Sequence, residues 1–207
     1  MFFGRSISAM LIGAVTILIS ITVHELAHGY AAYRLGDQTA KSQGRLTLNP
    51  LAHLDPIGAL LMFLTGFGWA KPVPVNPFFF KGDRTKGMML VSIAGPLANL
   101  ILAWILVCVY IGAILATSHV YPILQTLAFL NIYLAVFNLI PIPPLDGSKI
   151  LAGFLPKQTA LKYLTTVEQY GFLILMLLVI AGLVSKVVAP IAVGIYNLMI
   201  IPFYFFF

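Results

Sequence analysis

Three residues in one short stretch, His24, Glu25 and His28 of His24-Glu25-Leu26-Ala27-His28, have the types and spacing of a metal-dependent hydrolytic site. On a helix, residues four apart differ by about 40° of rotation, so both imidazoles project from one face, one turn apart, and can reach a single ion. Glu25 stands on the flank of that face. It is too far round to be the natural third ligand but close enough to act as general base on a water at the metal. As a bare pattern the motif is only moderately specific, and its apolar setting sharpens it. A carboxylate near the middle of a spanning helix costs on the order of 2.5–3.5 kcal/mol, so an ionisable group there is functional by default. The alternative is a pair of satisfied core histidines beside a hydrogen-bonded Glu25.

A catalytic zinc site takes three protein ligands and leaves a fourth position for water. The chain has one cysteine, Cys108, so neither a disulfide framework nor a Cys-based site is available, and the ligands must be His and carboxylate. The metzincin extension fails, because Ala31 and Arg34 stand where Gly and His would be needed. Asp146, Glu168, His53 and His119 are the candidates for the third ligand. His119 falls in a turn on the far side of the membrane, and Glu168 near the start of a later span. Asp146 fits best, since it follows Asn138-Leu139-Ile140-Pro141-Ile142-Pro143-Pro144-Leu145, where prolines break the helix beside the membrane. Its competing role is an N-cap of the next helix. His53 reads as a hydrogen bonder that orders its loop.

The elements that must position these groups follow from composition. With 60% hydrophobic and 9% charged residues in 207 and a mean hydropathy of +1.00, the chain lacks the polar surface of a soluble globule and belongs in a bilayer. The net charge of +6 is scattered through loops without a basic stripe, which argues against a nucleic-acid partner. Five stretches meet the about 20 residues needed to cross roughly 30 Å of hydrocarbon: Ser6 to Tyr33, Gly87 to Ala116, Tyr121 to Ile140, Tyr163 to Val184 and Val187 to Phe207. The apolar piece Ile57 to Trp69 is too short to cross and reads as re-entrant, since Lys71-Pro72-Val73-Pro74-Val75-Asn76-Pro77 after it cannot be helical throughout. The expected fold is therefore all-α and integral to the membrane. It has about five spanning helices, a re-entrant hairpin and short extended segments near the cytoplasmic face, in a single polytopic domain covering 1–207. Threading the spans puts ten of the twelve Lys and Arg on the side of residues 34–86 and 141–162, leaving Arg5 and Lys186 opposite, so the first side is cytoplasmic. An uncleaved first helix is preferred to a signal peptide, because no small-residue cleavage site separates the run from His24.

Two motifs in this order, His24-Glu25-Leu26-Ala27-His28-Gly29 and Asn138 through Leu145-Asp146-Gly147, with Ala94-Gly95-Pro96-Leu97-Ala98-Asn99 between them, resemble the site-2 proteases, zinc intramembrane metalloproteases. The resemblance covers most of the chain. It implies a metalloendopeptidase with one Zn2+ per chain on His24, His28 and Asp146, Glu25 as catalytic base, and Asn138 as a polar group near the scissile carbonyl. It also implies cleavage in or near a transmembrane segment of single-span membrane-protein substrates, as in regulated intramembrane proteolysis, in the plasma membrane of a prokaryote. Segments 68–77 and 49–56 are similar to those of the compact subgroup, and the chain has room for neither a PDZ nor a CBS domain.

A spanning substrate helix hides its carbonyls, so it must unwind before it is cut. Gly44-Arg45-Leu46-Thr47-Leu48 or Val73-Pro74-Val75 could receive it as an added strand, with Pro74 limiting the pairing edge. Met62, Phe63, Phe67 and Trp69 are candidate gate residues, and Asn99 reads as an interhelical hydrogen bonder. The rival readings are a membrane zinc peptidase of the prenyl-protein type with Glu168 at the metal, a metal-transit protein, and an inactive scaffold.

Overall fold

The computed structural model describes residues 7–58, 71–115 and 120–206, with side chains from residue 13 and to residue 203. Of the expected re-entrant piece only Ile57 and Gly58 are described; its gate residues and His119 lie outside the described residues. The helices are α1 (Ile7–Arg34), the short α2 (Thr39–Ser42), α3 (Arg84–Leu115), α4 (Tyr121–Asn138), α5 (Asp146–Phe154), α6 (Lys157–Ile180) and α7 (Leu183–Ile200), with 3-10 turns at Pro50–His53, Pro77–Phe79 and Ile201–Phe206.

Four of these, α3, α4, α6 and α7, are long and apolar enough to cross a membrane. They make the chain a multi-pass membrane protein. The expected first span is α1, 28 residues long, which at about 1.5 Å per residue exceeds the roughly 30 Å of hydrocarbon. It carries His24, Glu25 and His28 in its second half, and these polar groups lower its mean hydropathy. The outer faces are apolar: Trp104 and Ile105 of α3, Phe172 and Leu177 of α6 and Leu198 of α7 are all exposed, as expected of helices solvated by lipid. Inside, α3, α4 and α7 meet over fully buried Ala103, Val107, Ala128, Ile132, Val188 and Ala192. The alanines let backbones approach closely, which matters where lipid removes the hydrophobic drive between helices.

Two boundaries of α6 differ from expectation. The α6–α7 turn sits at residues 181–182 rather than 185–186, because Gly182 (φ 69°) takes the left-handed conformation that stops a helix at little steric cost. Helix α6 begins at Lys157, extending the span through polar residues beyond its apolar run. No β-strand forms among the described residues: 44–48 is a set of bends and 71–76 is irregular, so the extended segments exist without a sheet.

The loop from 71 to 81 is tied down by side chains from elsewhere. The buried Arg45 guanidinium donates to the carbonyls of Lys71 (2.8 Å) and Pro72 (3.3 Å), and Asp37 accepts from the Asn76 N–H at 2.6 Å. The Lys81 N–H donates to the Leu35 carbonyl at 2.8 Å. Phe80 packs with Ala32 and Val91 in a second small core under this loop.

Candidate metal centre

Three helices each present one stripe at helical spacing to a common point. Helix α1 gives Ser20, His24 and His28; α3 gives Val91, Gly95 and Asn99; α4 gives Asn131, Ala135 and Asn138. The turn after α4 then brings in Asp146 as the first residue of α5, with Leu145 in the N-cap position, so Asp146 is not itself the cap.

His24, His28 and Asp146, all buried, form a group able to hold a metal ion. The Nε2 atoms of the two histidines lie 3.0 Å apart, and Asp146 Oδ2 lies 3.1 Å from one and 3.2 Å from the other. A tetrahedral zinc with donors about 2.0–2.1 Å away sets those donors roughly 3.3 Å apart, close to this triangle.

The hydrogen-bond network decides which ring nitrogens face the centre. His28 Nδ1 lies 2.7 Å from the Val91 carbonyl, which can only accept, so that nitrogen carries hydrogen. His24 Nδ1 lies 2.6 Å from Asn99 Oδ1. The Asn99 amide is oriented by its NH2, which donates to the Ser20 carbonyl (3.0 Å) and to Asn131 Oδ1 (2.7 Å). Asn131 is in turn oriented by its donation to the Leu127 carbonyl at 2.8 Å. Backbone carbonyls thus fix every amide in the chain, and His24 Nδ1 must also be the protonated nitrogen. Both Nε2 lone pairs are left facing Asp146. Three acceptors aimed at one point repel unless a cation stands between them, and two imidazoles with a carboxylate suit zinc.

Gly95 keeps that point clear. A Cβ there would lie 2.5 Å from His28 Nε2 and 2.7 Å from His24 Cε1, in the space the ion needs. Gly147 does similar service on the ligand loop, where a Cβ would lie 2.2 Å from the Leu139 carbonyl oxygen.

A cavity of 270 Å³ opens over this group, lined among others by Glu25, Val73, Ser92, Asn138 and Lys149. Glu25 is on the flank as expected, its Oε2 accepting the Val73 N–H at 2.7 Å. Loop 71–76 therefore aims the carboxylate, and the Val73 donor is not free to pair with another strand. Asn138 reaches the cavity with one amide hydrogen bonded to the Leu134 carbonyl at 3.0 Å. Glu168 lines a neighbouring cavity and is not in the metal group. His53 is buried and bonds the Thr47 carbonyl at 2.9 Å, the loop-ordering role expected of it. Sequence reasoning gave Asn99 only a generic interhelical bond, gave Gly95 no task and passed over Asn131. No local signal marks them, because the face that α3 and α4 turn toward His24 and His28 is set by helix packing.

The sequence profile of peptidase family M50 matches residues 12–115 and 110–181. A candidate zinc metalloprotease of Bacillus subtilis, YwhC, is 46% identical over 190 residues, covering 85% of this chain and 83% of that protein. A candidate zinc metalloprotease of Mycolicibacterium smegmatis, Rip2, is 34% identical over 82% of this chain and 66% of its own length. Zinc metalloprotease MJ0392 of Methanocaldococcus jannaschii is 28% identical over 88% of this chain and 46% of its own. No solved structure matches.

Proposed function

Since the chain belongs to peptidase family M50, the site-2 protease family, and is a zinc metalloprotease, we propose that it hydrolyses a peptide bond in or near the transmembrane segment of single-span membrane proteins, in regulated intramembrane proteolysis. The observation that carries this reading is the convergence of His24 Nε2, His28 Nε2 and Asp146 Oδ2 on one point beside Glu25, within a chain whose described helices are largely of spanning type.

In this scheme His24, His28 and Asp146 hold one zinc per chain. When bound, the zinc polarises a peptide carbonyl and makes water a better nucleophile near neutral pH. Glu25 takes the proton from the attacking water and passes it to the leaving amine. Its bond to the Val73 N–H occupies one oxygen and leaves the other for that transfer. Asn138 offers its remaining amide hydrogen to the carbonyl oxygen, where charge builds in the transition state. The substrate must be unwound to reach the cavity, and an extended peptide along 73–75 would pair through Val75 and the carbonyls, since Val73 is committed and Pro74 has no N–H.

Residues 1–207 act in this reading as one polytopic domain in a prokaryotic plasma membrane, with the site toward the cytoplasm. The lopsided distribution of Lys and Arg supports that orientation. The test is reconstitution of the purified protein in vesicles with a panel of single-span substrates. Cuts mapped within or beside the spanning segment, abolished by a zinc chelator, are expected; cleavage confined to soluble peptides, or indifferent to the chelator, would overturn the reading.

A further inference from the structure

We propose that the 420 Å³ cavity beside the catalytic one is a substrate subsite, and that Lys149, seconded by Arg84, selects in it an acidic side chain flanking the scissile bond. The proposal rests on the protease reading above and names the substrate feature that this site would read.

The two cavities adjoin, since Met88, Pro144 and Lys149 wall both. Lys149 lies three residues after Asp146 on α5, one turn from the metal group, and is half-buried. It is the one cation that borders both spaces among the described residues. An extended peptide advances about 3.3–3.6 Å per residue, so a side chain within a few residues of a bond held in the first cavity reaches the second.

Charge decides what that side chain is. On this face Lys157 pairs with Asp83 at 3.1 Å, and Arg45 is taken up by the carbonyls of Lys71 and Pro72. Among the described residues Lys149 and Arg84 make no ion pair, and Arg84 is held over the Phe78 ring, 4.3 Å from its centroid. The one acid on the wall, Glu168, is exposed on α6 and has no ion pair among the described residues. Two cations against one anion leave the cavity positive. A cation on a partly buried residue gains more from an incoming carboxylate than a fully solvated surface lysine does. The remaining walls are mainly apolar, as in specific pockets where a few placed charges set selectivity.

The test uses the full chain in vesicles of neutral lipid and single-span substrates that differ only by Asp, Asn or Lys at positions flanking the cut. The wild type is expected to favour Asp over Lys by roughly tenfold or more in kcat/KM, carried by KM. Lys149→Glu should reverse the preference and Lys149→Arg keep it, both retaining one zinc per chain and a monodisperse elution profile. Arg84→Glu should weaken it less. The same peptides, fluorescently labelled, are also titrated onto the Glu25→Gln protein. A charge preference in binding that Lys149→Glu reverses upholds the subsite even if no substrate is ever cut, in which case the protease reading alone falls. Cleavage without any charge preference, or a preference that Lys149→Glu leaves unchanged, overturns the subsite. A Lys149 effect that appears only when phosphatidylglycerol is added, whatever the substrate charge, also overturns it and assigns the cations to a lipid headgroup.

Discussion

The two adjoining cavities share three wall residues yet treat their polar groups in opposite ways. Around the metal group each imidazole nitrogen is committed, and the amides behind His24 are oriented step by step from the carbonyls of Ser20 and Leu127. In the neighbouring cavity Lys149, Arg84 and Glu168 have no ionic partner among the described residues, and one wall belongs to α6, only 11% of whose most apolar stretch is buried, against 28% for α4. The contrast separates a site built for one fixed occupant from one suited to changing occupants. Preorganisation belongs where a cation must be gripped, and unspent charge where a substrate must be sampled.

The sharpest way to break the first half of that contrast is to fill the point it protects. Gly95→Ala puts a methyl against both imidazoles and should lower zinc affinity by on the order of a hundredfold or more, read by competition with a chelating dye. The protein should still elute as folded, because the added group meets side chains at the metal point and not the helix core.

Next comes the amide relay. Asn99→Leu removes the acceptor that fixes the His24 tautomer and should cost about 10–100-fold in zinc affinity. Asn131→Ala, one step further back, should cost less than tenfold, a net hydrogen bond being about 0.5–1.5 kcal/mol. Equal losses from the two would mean that the relay is not a graded support.

These two residues also show what was legible in sequence. The grouping of His24, His28 and Asp146 could be anticipated because a chelating pair at four-residue spacing and a proline-broken turn before an acid carry their geometry locally. Spans α3 and α4 were placed within about three residues by their apolar runs. Asn99 and Asn131 could not be assigned, since a polar amide on an apolar helix looks the same whether it bonds a neighbouring helix or a ligand, and only the rotation of α3 against α1 decides. The irregular course of 71–76 was foreseen from its prolines. Its docking on Glu25 was not, because it depends on Arg45 and Asp37, remote in sequence.

Arg45→Met should sharpen the same contrast from the loop side. Freeing the carbonyls of Lys71 and Pro72 loosens the segment that aims Glu25, so cleavage should fall severalfold while zinc per chain stays at its wild-type value. Loss of zinc in this variant would tie the loop to the metal and not to the base.

The smallest effect belongs to the exposed latch of Asp83. Its carboxyl is held below the ordinary value of 3.8 by the Lys86 N–H and by Lys157. A depressed folded-state pKa means that the latch contributes fully above that value and is lost as pH falls through the lower, folded one. Asp83→Asn should remove this small acid-side dependence from thermal melting curves, which should lie slightly below wild type near neutral pH and converge with it at acid pH, where the latch is already lost.

The central claim, that His24, His28 and Asp146 hold the zinc on which Glu25 acts, is tested most directly by measuring zinc per chain and peptide cleavage together in Glu25→Gln, Asp146→Asn and Glu168→Gln. The account predicts that the Glu25 variant keeps one zinc and loses at least about a hundredfold in cleavage. The Asp146 variant should lose both, and the Glu168 variant neither. Full cleavage by Glu25→Gln, or zinc retained by Asp146→Asn and lost by Glu168→Gln, would contradict it.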